Sequence, residues 1–256
     1  MTTHPFPQRF QGRPAVVTGA ARGIGLGIAR RLGQEGALLT LADSNAATLE
    51  AAAEALRGEG MQVTTEALDV TDAGAVQAVM ERVVQREGRI DALVTAAGIL
   101  GTSGVLTEAL SLEEFDQVMR VNLHGIFHCV RAVLPHMRAA GYGRIFNLAS
   151  ISGKDGNAGM LAYSTSKAAV IGLTKVVGKE YAEYGITCNT IAPALIDTDM
   201  IKGLPAEKRR ALEKAIPQGR VGQVEEVAAV AAFALSPECS FTTGFVFDAS
   251  GGRTLY

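Results

Sequence analysis

The sequence has little cysteine and no closely spaced cysteine pair. Its 256 residues include only Cys129, Cys188 and Cys239, and none of these belongs to a CxxC motif. This count argues against a disulfide scaffold and against a structural zinc site. It is typical of a protein that works in a reducing compartment.

The chain also lacks an excess of one charge and a long apolar run. It has 24 Lys and Arg against 26 Asp and Glu, for a formal net charge of −2, so no basic surface is expected for nucleic acid or an anionic membrane. The longest apolar stretch, near Val227–Leu235, is too short to span a bilayer, and residues 1–14 contain no apolar core of a signal peptide. We therefore expect a cytoplasmic protein with neither a nucleic-acid nor a membrane partner.

Short apolar runs alternate with longer helical patterns along the whole chain, with no linker between them. Strands are predicted near Ala15–Val17, Ala37–Leu41, Gln62–Ala67, Ala92–Thr95, Arg144–Leu148, Thr187–Ile191 and Gly244–Phe247. They lack polar alternation, as expected when both faces of a sheet are covered. The pattern predicts one α/β domain over residues 1–256, a Rossmann-like, doubly wound parallel sheet with helices on both faces.

A glycine-rich turn follows the first predicted strand and opens the first helix. It contains Gly19, Arg22, Gly23, Ile24 and Gly25, with the spacing Gly-x3-Gly-x-Gly. Glycines let the backbone approach a pyrophosphate, which the helix N-terminus then stabilises. A plain strand-to-helix connection would explain the turn by itself, but its place at the first βα junction favours a dinucleotide site.

An acid ends the second predicted strand. Asp43 lies eighteen residues past Gly25, where a carboxylate accepts hydrogen bonds from ribose hydroxyls and repels a 2′-phosphate. The alternative is a helix cap, a role that Ser44 or Asn45 could equally fill. Arg22 could support NADP, but the closer carboxylate outweighs it. The sequence therefore predicts NAD as the cofactor.

Tyr163 and Lys167 are placed at i and i+4 near the start of a predicted helix that runs to Tyr181, so they share one face. A nearby ammonium, aided by an oxidised nicotinamide, lowers the pKa of a tyrosine and prepares it to accept a proton. The spacing by itself is common, and a half-buried Tyr beside a solvated Lys is the plain alternative.

Two further polar residues support a catalytic interpretation. Ser150, after the strand Arg144–Leu148, can hold a reacting oxygen beside Tyr163, and a buried Asn122 can position a water that relays the proton. Taken singly, Ser150 could cap a turn and Asn122 could lie on a solvated helix face.

With these motifs, the chain resembles the short-chain dehydrogenase/reductase family over essentially its full length. The resemblance implies that Tyr163 is the acid/base, that Lys167 lowers its pKa and binds the nicotinamide ribose, that Ser150 polarises the substrate and that Asn122 serves the relay. It also implies cofactor contacts from Asp69, Val70, Ala97, Gly98, Pro193, Ile196 and Thr198. Such enzymes need no metal, and the pair His124 and His128 lacks an evident third ligand.

Two departures from the family pattern occur. Thr95 and Ala96 replace the usual Asn-Asn before Ala97-Gly98, which should be tolerated because the contacts of that loop are largely made by the backbone. Ala194 replaces the usual glycine after Pro193, which is acceptable if its φ stays negative.

Substrate choice is expected to depend on the residues after Ser150 and on a helical lid over Asp199–Gln218 that includes Met200, Ile201, Lys202 and Leu204. Candidate substrate ligands are Ser150, Ser152, Lys154, Asn157, Tyr163 and Arg253. Arg253 could bind a carboxylate bidentately, or could be a surface arginine on a frayed tail.

The segments Lys154–Asn157, Ala192–Thr198 and Gly251–Arg253 are similar to dehydrogenases of 2-keto-3-deoxy sugar acids. This resemblance implies NAD-dependent oxidation of a secondary alcohol on a small hydroxylated substrate, such as 2-keto-3-deoxy-L-fuconate or L-rhamnonate.

Other functional interpretations stay open. An NADPH-dependent 3-oxoacyl-carrier-protein reductase could dock its carrier on Lys208–Arg210, and a sugar or polyol dehydrogenase would share the same chemistry. A non-catalytic nucleotide sensor should lack part of the set Asn122, Ser150, Tyr163 and Lys167. The family resemblance also implies a homotetramer, with helices corresponding to Leu112–Met137 and Tyr163–Tyr181 pairing across subunits.

Overall fold

A parallel sheet forms the centre of the molecule. In the computed structural model, which describes residues 8–199 and 206–254, seven strands pair in the order β3-β2-β1-β4-β5-β6-β7, and every pairing is parallel. The strands are β1 Pro14–Thr18, β2 Leu38–Asp43, β3 Val63–Ala67, β4 Ala92–Thr95, β5 Gly143–Leu148, β6 Ile186–Pro193 and β7 Val246–Ala249.

Helices connect the strands and cover both faces of the sheet. They are α1 Gly23–Gln34, α2 Ala46–Gly58, α3 Ala73–Glu87, α4 Leu112–Met119, α5 Gly125–Ala140, α6 Ser152–Asp155, α7 Leu161–Glu180, α8 Ala206–Lys214 and α9 Val224–Leu235. Side chains of Asn45, Asp72 and Ser111 accept hydrogen bonds from the first turns of α2, α3 and α4, which explains where these helices begin.

Two apolar cores result, one on each face. Ile28, Leu32 and Leu56 on α1 and α2 are fully buried in the first core, and Met80 and Val133 on α3 and α5 in the second. This arrangement confirms the predicted doubly wound α/β fold.

The strand order reverses between β1 and β4, because β2 and β3 lie on one side of β1 and the later strands lie on the other. In open parallel sheets, ligands bind in the crevice at the carboxyl ends of the strands at such a reversal. The segments that follow β1, β4 and β5 therefore face the expected site.

The predicted helix Leu112–Met137 contains one irregular turn. A π-helical turn, Arg120–His124, separates α4 from α5. One inserted residue leaves the apolar periodicity on either side nearly intact, which is why the pattern did not reveal it.

The structure describes only part of the predicted lid. Helix α8 lies inside the predicted segment, whereas Met200, Ile201, Lys202 and Leu204 lie outside the described residues. Among residues 8–199 and 206–254, no helix combines the length and apolarity needed to cross a membrane.

Candidate active site

The glycine-rich turn is packed too tightly for any side chain at two positions. A Cβ on Gly19, which has φ +65°, would lie 2.5 Å from the backbone nitrogen of Ala97. A Cβ on Gly25 would lie 2.2 Å from the carbonyl oxygen of Gly19. The turn after β1 therefore packs directly against the segment after β4, with only backbone between them.

The N-terminus of α1 differs from those of α2, α3 and α4. Its N-cap residue, Arg22, is extended and exposed and makes no side-chain cap. The amides of this first turn are thus available to a bound anion, and the positive end of the helix dipole favours one.

Asp43 reaches back to the same turn. One of its carboxylate oxygens accepts a hydrogen bond from the Ala21 amide at 3.2 Å, and the other accepts one from the Asn45 amide at 3.1 Å. Asn45, not Asp43, caps α2, through a 3.0 Å bond from the Thr48 amide. The helix-cap alternative for Asp43 is therefore wrong, and its carboxylate stands beside the glycine-rich turn.

The predicted adenine-side residues lie at the end of β3, next to β2. Val70 is buried, and its carbonyl oxygen lies 2.9 Å from Nδ1 of His128 on α5. Asp69 is exposed and accepts a hydrogen bond from the Thr71 amide at 2.9 Å. Leu68, just before them, donates to the Asp43 carbonyl at 2.9 Å, so the two segments are adjacent.

Ser150 and Tyr163 meet at the carboxyl end of β5. Burial raises the pKa of Tyr163, and a hydrogen bond with the Ser150 side chain opposes that rise. The Ser150 hydroxyl oxygen also accepts a bond from the Ser152 amide at 3.1 Å, so Ser150 caps a turn and contacts the tyrosine at once.

Lys167 is buried one helical turn beyond Tyr163. Its Nζ donates to the Leu148 carbonyl at 2.7 Å and lies 5.7 Å from the centroid of the Tyr163 ring. Burial lowers the pKa of Lys167 to about 8. The solvated lysine of the plain alternative is thus wrong. Burial nevertheless has the largest influence on Tyr163 and keeps its pKa above the ordinary value. Lys167 alone therefore does not lower the pKa of Tyr163 as expected.

Asn122 lies in the π-helical turn and is completely buried, so the solvated-helix alternative is also wrong. Its amide oxygen accepts from the Ile99 nitrogen, and its amide nitrogen donates to the Ile99 oxygen, both at 2.8 Å. The same nitrogen donates to the Ser166 hydroxyl at 3.1 Å. Asn122 therefore fixes the loop after β4, beside Gly98.

Gly98 lies next to both Asn122 and Lys167. A Cβ there would lie 3.2 Å from the Asn122 amide oxygen and 3.6 Å from Nζ of Lys167. Ser166, which the sequence did not single out, donates to the Tyr163 carbonyl at 2.7 Å and so links Asn122 to the helix that carries the tyrosine. The only sign of this role in the sequence is that Ser166 is a small polar residue between Tyr163 and Lys167.

The segment after β6 also reaches the glycine-rich turn. Thr198 lies near the glycine-rich turn, since a Cβ on Gly23 would be 3.7 Å from its methyl carbon. Ile196 is buried, and the carbonyl of Pro193 accepts from the Ile151 amide at 3.1 Å. Ala194 has no positive φ, which meets the condition set for replacing the family's glycine.

The candidate substrate residues after Ser150 contact one another or the tail of the chain. Asn157 donates to the Ser152 hydroxyl at 2.7 Å. Lys154 forms an ion pair with Asp248 at 2.8 Å, and its side chain is only 6% exposed. The ammonium of Lys154 is thus held by a carboxylate of this chain, and its role as a substrate ligand stays a prediction. Arg253 is half-buried on the tail.

The comparisons with known proteins agree with this geometry. The sequence model of a family described as Enoyl-(Acyl carrier protein) reductase matches residues 19–254. The chain belongs to the short-chain dehydrogenase/reductase family. The match begins at the first glycine of the turn and ends with Thr254.

Similar members of this short-chain dehydrogenase/reductase family differ in their named substrates. The chain is 43% identical to a 2-dehydro-3-deoxy-L-rhamnonate dehydrogenase (NAD(+)) of Sphingomonas sp. (strain SKA58), covering 98% of this chain and 99% of the relative. It is 40% identical to a 3-oxoacyl-[acyl-carrier-protein] reductase of Thermotoga maritima, covering 96% and 100%. The crystal structure of an NAD+-bound xylitol dehydrogenase superposes with a TM-score of 0.90 at 33% identity, covering 95% and 99%.

No cluster of three or more His, Cys, Asp or Glu side chains suited to a metal ion occurs in the described part of this family member. His128 bonds to the Val70 carbonyl, and the His124 and His128 rings lie 6.5 Å apart. The pair is a polar feature of the helical segment that packs beside Val70.

The buried ammonium of Lys167 predicts a pH-dependent stability difference. Below pH 8 the lysine is charged in both the folded and the unfolded chain, so the cost of burying its charge is fully present. Between about 8 and 10.5 the folded chain has released the proton while the unfolded chain still holds it, so that cost disappears. A Lys167→Met variant carries no such charge, and its free energy of unfolding relative to wild type should decline by up to about 3 kcal/mol over this window.

Urea unfolding of both proteins at pH 7 and pH 10 measures this change. Groups common to the two proteins, such as the buried cysteines, cancel in the difference. A stability difference that is the same at both pH values would contradict the buried charge.

Proposed function

We propose that this chain is an NAD-dependent dehydrogenase that oxidises a secondary alcohol to a ketone on a small hydroxylated acid. One observation carries the proposal: the hydrogen-bonded pair Ser150 and Tyr163 lies next to buried Lys167, at the edge of the sheet where the glycine-rich turn and Asp43 also lie.

The cofactor crevice fits a dinucleotide. Side chains are excluded at Gly19 and Gly25, where only backbone can approach a pyrophosphate, and the first amides of α1 lack a side-chain cap. Asp43 offers carboxylate oxygens for ribose hydroxyls. The adenine-side contacts are assigned to Asp69 and Val70, and those near the nicotinamide to Ala97, Gly98, Tyr163, Lys167, Pro193, Ile196 and Thr198.

Bound NAD supplies the hydride acceptor, and the protein supplies position and proton transfer. The Ser150 hydroxyl holds the substrate oxygen by a hydrogen bond, and Tyr163, as the phenolate, takes the alcohol proton. Deprotonating an ordinary tyrosine at pH 7 costs about 4 kcal/mol. Lys167 offsets part of that cost because its ammonium stabilises the phenolate. Asn122 holds the loop at Ile99 and serves the proton relay.

A sugar acid of the 2-keto-3-deoxy-L-rhamnonate or L-fuconate type is the substrate class we favour, with oxidation at the 4-position. The 43% identity to the rhamnonate-series enzyme supports it, and so does Arg253, whose neighbour Thr254 bonds to Asp155 in α6. Arg253 would bind the carboxylate bidentately, with Ser152 and Asn157 shaping the wall beside Ser150. The 40% identity to a 3-oxoacyl-carrier-protein reductase favours NADPH-dependent ketone reduction as the second candidate, and a polyol dehydrogenase is the third.

A substrate screen separates these candidates. Sugar acids, polyols and a 3-oxoacyl thioester are each assayed with NAD(H) and NADP(H), following the absorbance of the reduced cofactor. We expect turnover of a 2-keto-3-deoxy sugar acid with NAD. Turnover of the thioester with NADPH alone would reject the proposal in favour of the reductase.

A homotetramer located in the cytoplasm completes the proposal. Phe127 on α5 and Val176 on α7 are about half exposed, and they lie on the helices that the family resemblance assigns to subunit pairing. Light scattering that gives the mass of a monomer would contradict the tetramer.

Replacing Asp43 by serine should shift the cofactor preference. The change removes a negative charge that repels the 2′-phosphate, and at a partly exposed site this repulsion amounts to a few kcal/mol. We expect the ratio of kcat/KM for NADP over NAD to rise by at least about tenfold, equivalent to ~1.4 kcal/mol. Asp72→Asn, which removes one charge from the cap of α3, is the matched control and should leave the ratio unchanged. An unaltered ratio in Asp43→Ser would show that Asp43 does not face the ribose.

A further inference from the structure

The tail that follows β7 lies beside α6. Ala249 in β7 pairs with Pro193 in β6, and the Pro193 carbonyl accepts from the Ile151 amide at 3.1 Å. The carboxyl ends of β5, β6 and β7 are therefore neighbours, and residues 250–254 leave the sheet next to α6.

Two side-chain contacts attach the end of β7 and this tail to α6. Lys154 donates to Asp248 at 2.8 Å, in an ion pair whose lysine side chain is nearly inaccessible to solvent. Thr254 donates its hydroxyl to Asp155 at 2.6 Å and is itself buried. Charge-assisted bonds at such distances are among the stronger polar contacts in proteins.

Between its two attachment points the tail touches the segment that follows α8. The Gln218 amide donates to the Gly251 carbonyl at 3.2 Å. A Cβ on Gly251 would lie 2.7 Å from the side chain of Ile216. The tail thus bridges α6 and the end of the region expected to form the lid.

Helix α6 contacts the catalytic candidates directly. The Ser152 amide donates to the Ser150 hydroxyl oxygen at 3.1 Å. A Cβ on Gly153 would lie 2.5 Å from the backbone carbon of Lys167, so α6 packs against α7 without an intervening side chain. A displacement of α6 would therefore move Ser150 relative to Tyr163.

We propose that the pairs Lys154–Asp248 and Asp155–Thr254 form a clasp that positions Ser150 against Tyr163. The four side chains are positioning residues, and the inference rests on the proposed oxidation by Tyr163. Since Ser150 stabilises the tyrosine phenolate by hydrogen bonding, a loosened clasp weakens that bond and makes the tyrosine a weaker acid.

Thr254→Val and Lys154→Met test the clasp, because each removes one donor while keeping a similar shape. We expect kcat to fall by about tenfold to a hundredfold, the cost of a misplacement of about 1 Å, with little change in KM for NAD. The acidic limb of the kcat–pH profile should move to higher pH, because the hydroxyl of Tyr163 is harder to deprotonate. Thr254→Ser and Lys154→Arg restore a donor and should restore both values.

Arg82→Met is the matched control, because it breaks the exposed ion pair to Glu66 at the far edge of the sheet and should leave the profile in place. Amide exchange at Ser152, measured without substrate, should accelerate in the double variant Lys154→Met/Thr254→Val. If the wild type turns over no substrate in the screen, the proposed function fails, and exchange at Ser152 still decides whether the clasp holds α6. Unchanged exchange, or a lower melting temperature with an unmoved pH profile, overturns the clasp.

Discussion

Replacing Tyr163 by phenylalanine should lower kcat by roughly 10²- to 10⁴-fold, the range that general acid–base groups contribute. The ring and its packing stay, and only the oxygen that receives the proton is lost. KM for NAD should change little, because Lys167 is still held by the Leu148 carbonyl at 2.7 Å. Steady-state kinetics with the substrate found by the screen measures both quantities.

Tyr142→Phe is the matched control for this variant. The Tyr142 hydroxyl is buried and has no hydrogen-bond partner among the described residues, so removing it takes away no bond. Its kcat should equal that of the wild type. A Tyr163→Phe enzyme with undiminished turnover would show that the proton passes through another group.

The size of that effect depends on two opposing influences at Tyr163. Burial raises the pKa of the phenol, which alone would make it a poor base at neutral pH. The Ser150 bond and the charge of Lys167 act in the other direction. With its pKa lowered to about 8, Lys167 is still mostly protonated at pH 7, so the ammonium is present where it is needed.

Local features of the sequence predicted most of the fold and much of the arrangement at the site. Tyr163 and Lys167 could be paired because four residues on one helix fix their separation. Asp43 could be placed because the carboxyl ends of parallel strands meet at one edge of the sheet. Ser150 follows from the same rule, two residues after β5 ends.

Contacts between segments far apart in sequence could not be predicted in the same way. Lys154 pairs with Asp248 across 94 residues, and Asp155 pairs with Thr254 across 99. No periodicity connects such positions, so the ion pair of Lys154 with Asp248 could not be foreseen when Lys154 was predicted as a substrate ligand from its place after Ser150. The π-helical turn at Asn122 was missed for a different reason, since a single inserted residue hardly alters an amphipathic pattern.

Replacing Gly25 by alanine should destabilise the protein by about 3 kcal/mol, the upper range for overpacking a tight contact. The added Cβ would lie 2.2 Å from the Gly19 carbonyl oxygen. Gly19 cannot move away from the added Cβ, because it packs against the Ala96–Ala97 peptide. A Cβ on Gly19 itself would lie only 2.5–2.7 Å from atoms of that peptide. The clash must therefore displace the turn itself, and NAD affinity should fall together with stability.

Gly58→Ala provides the matched control for Gly25→Ala. Gly58 ends α2 with open space around its Cβ position, so alanine should be neutral or should stabilise the protein by about 0.5–1 kcal/mol. Thermal unfolding with and without NAD measures both variants. Because the stabilisation by NAD grows with the logarithm of its concentration over Kd and vanishes when Kd far exceeds that concentration, the shift should persist in Gly58→Ala and largely vanish in Gly25→Ala. If NAD raised the melting temperature of Gly25→Ala as much as that of the wild type, the pyrophosphate would not lie on this turn. The cofactor would then have to bind elsewhere along this edge of the sheet.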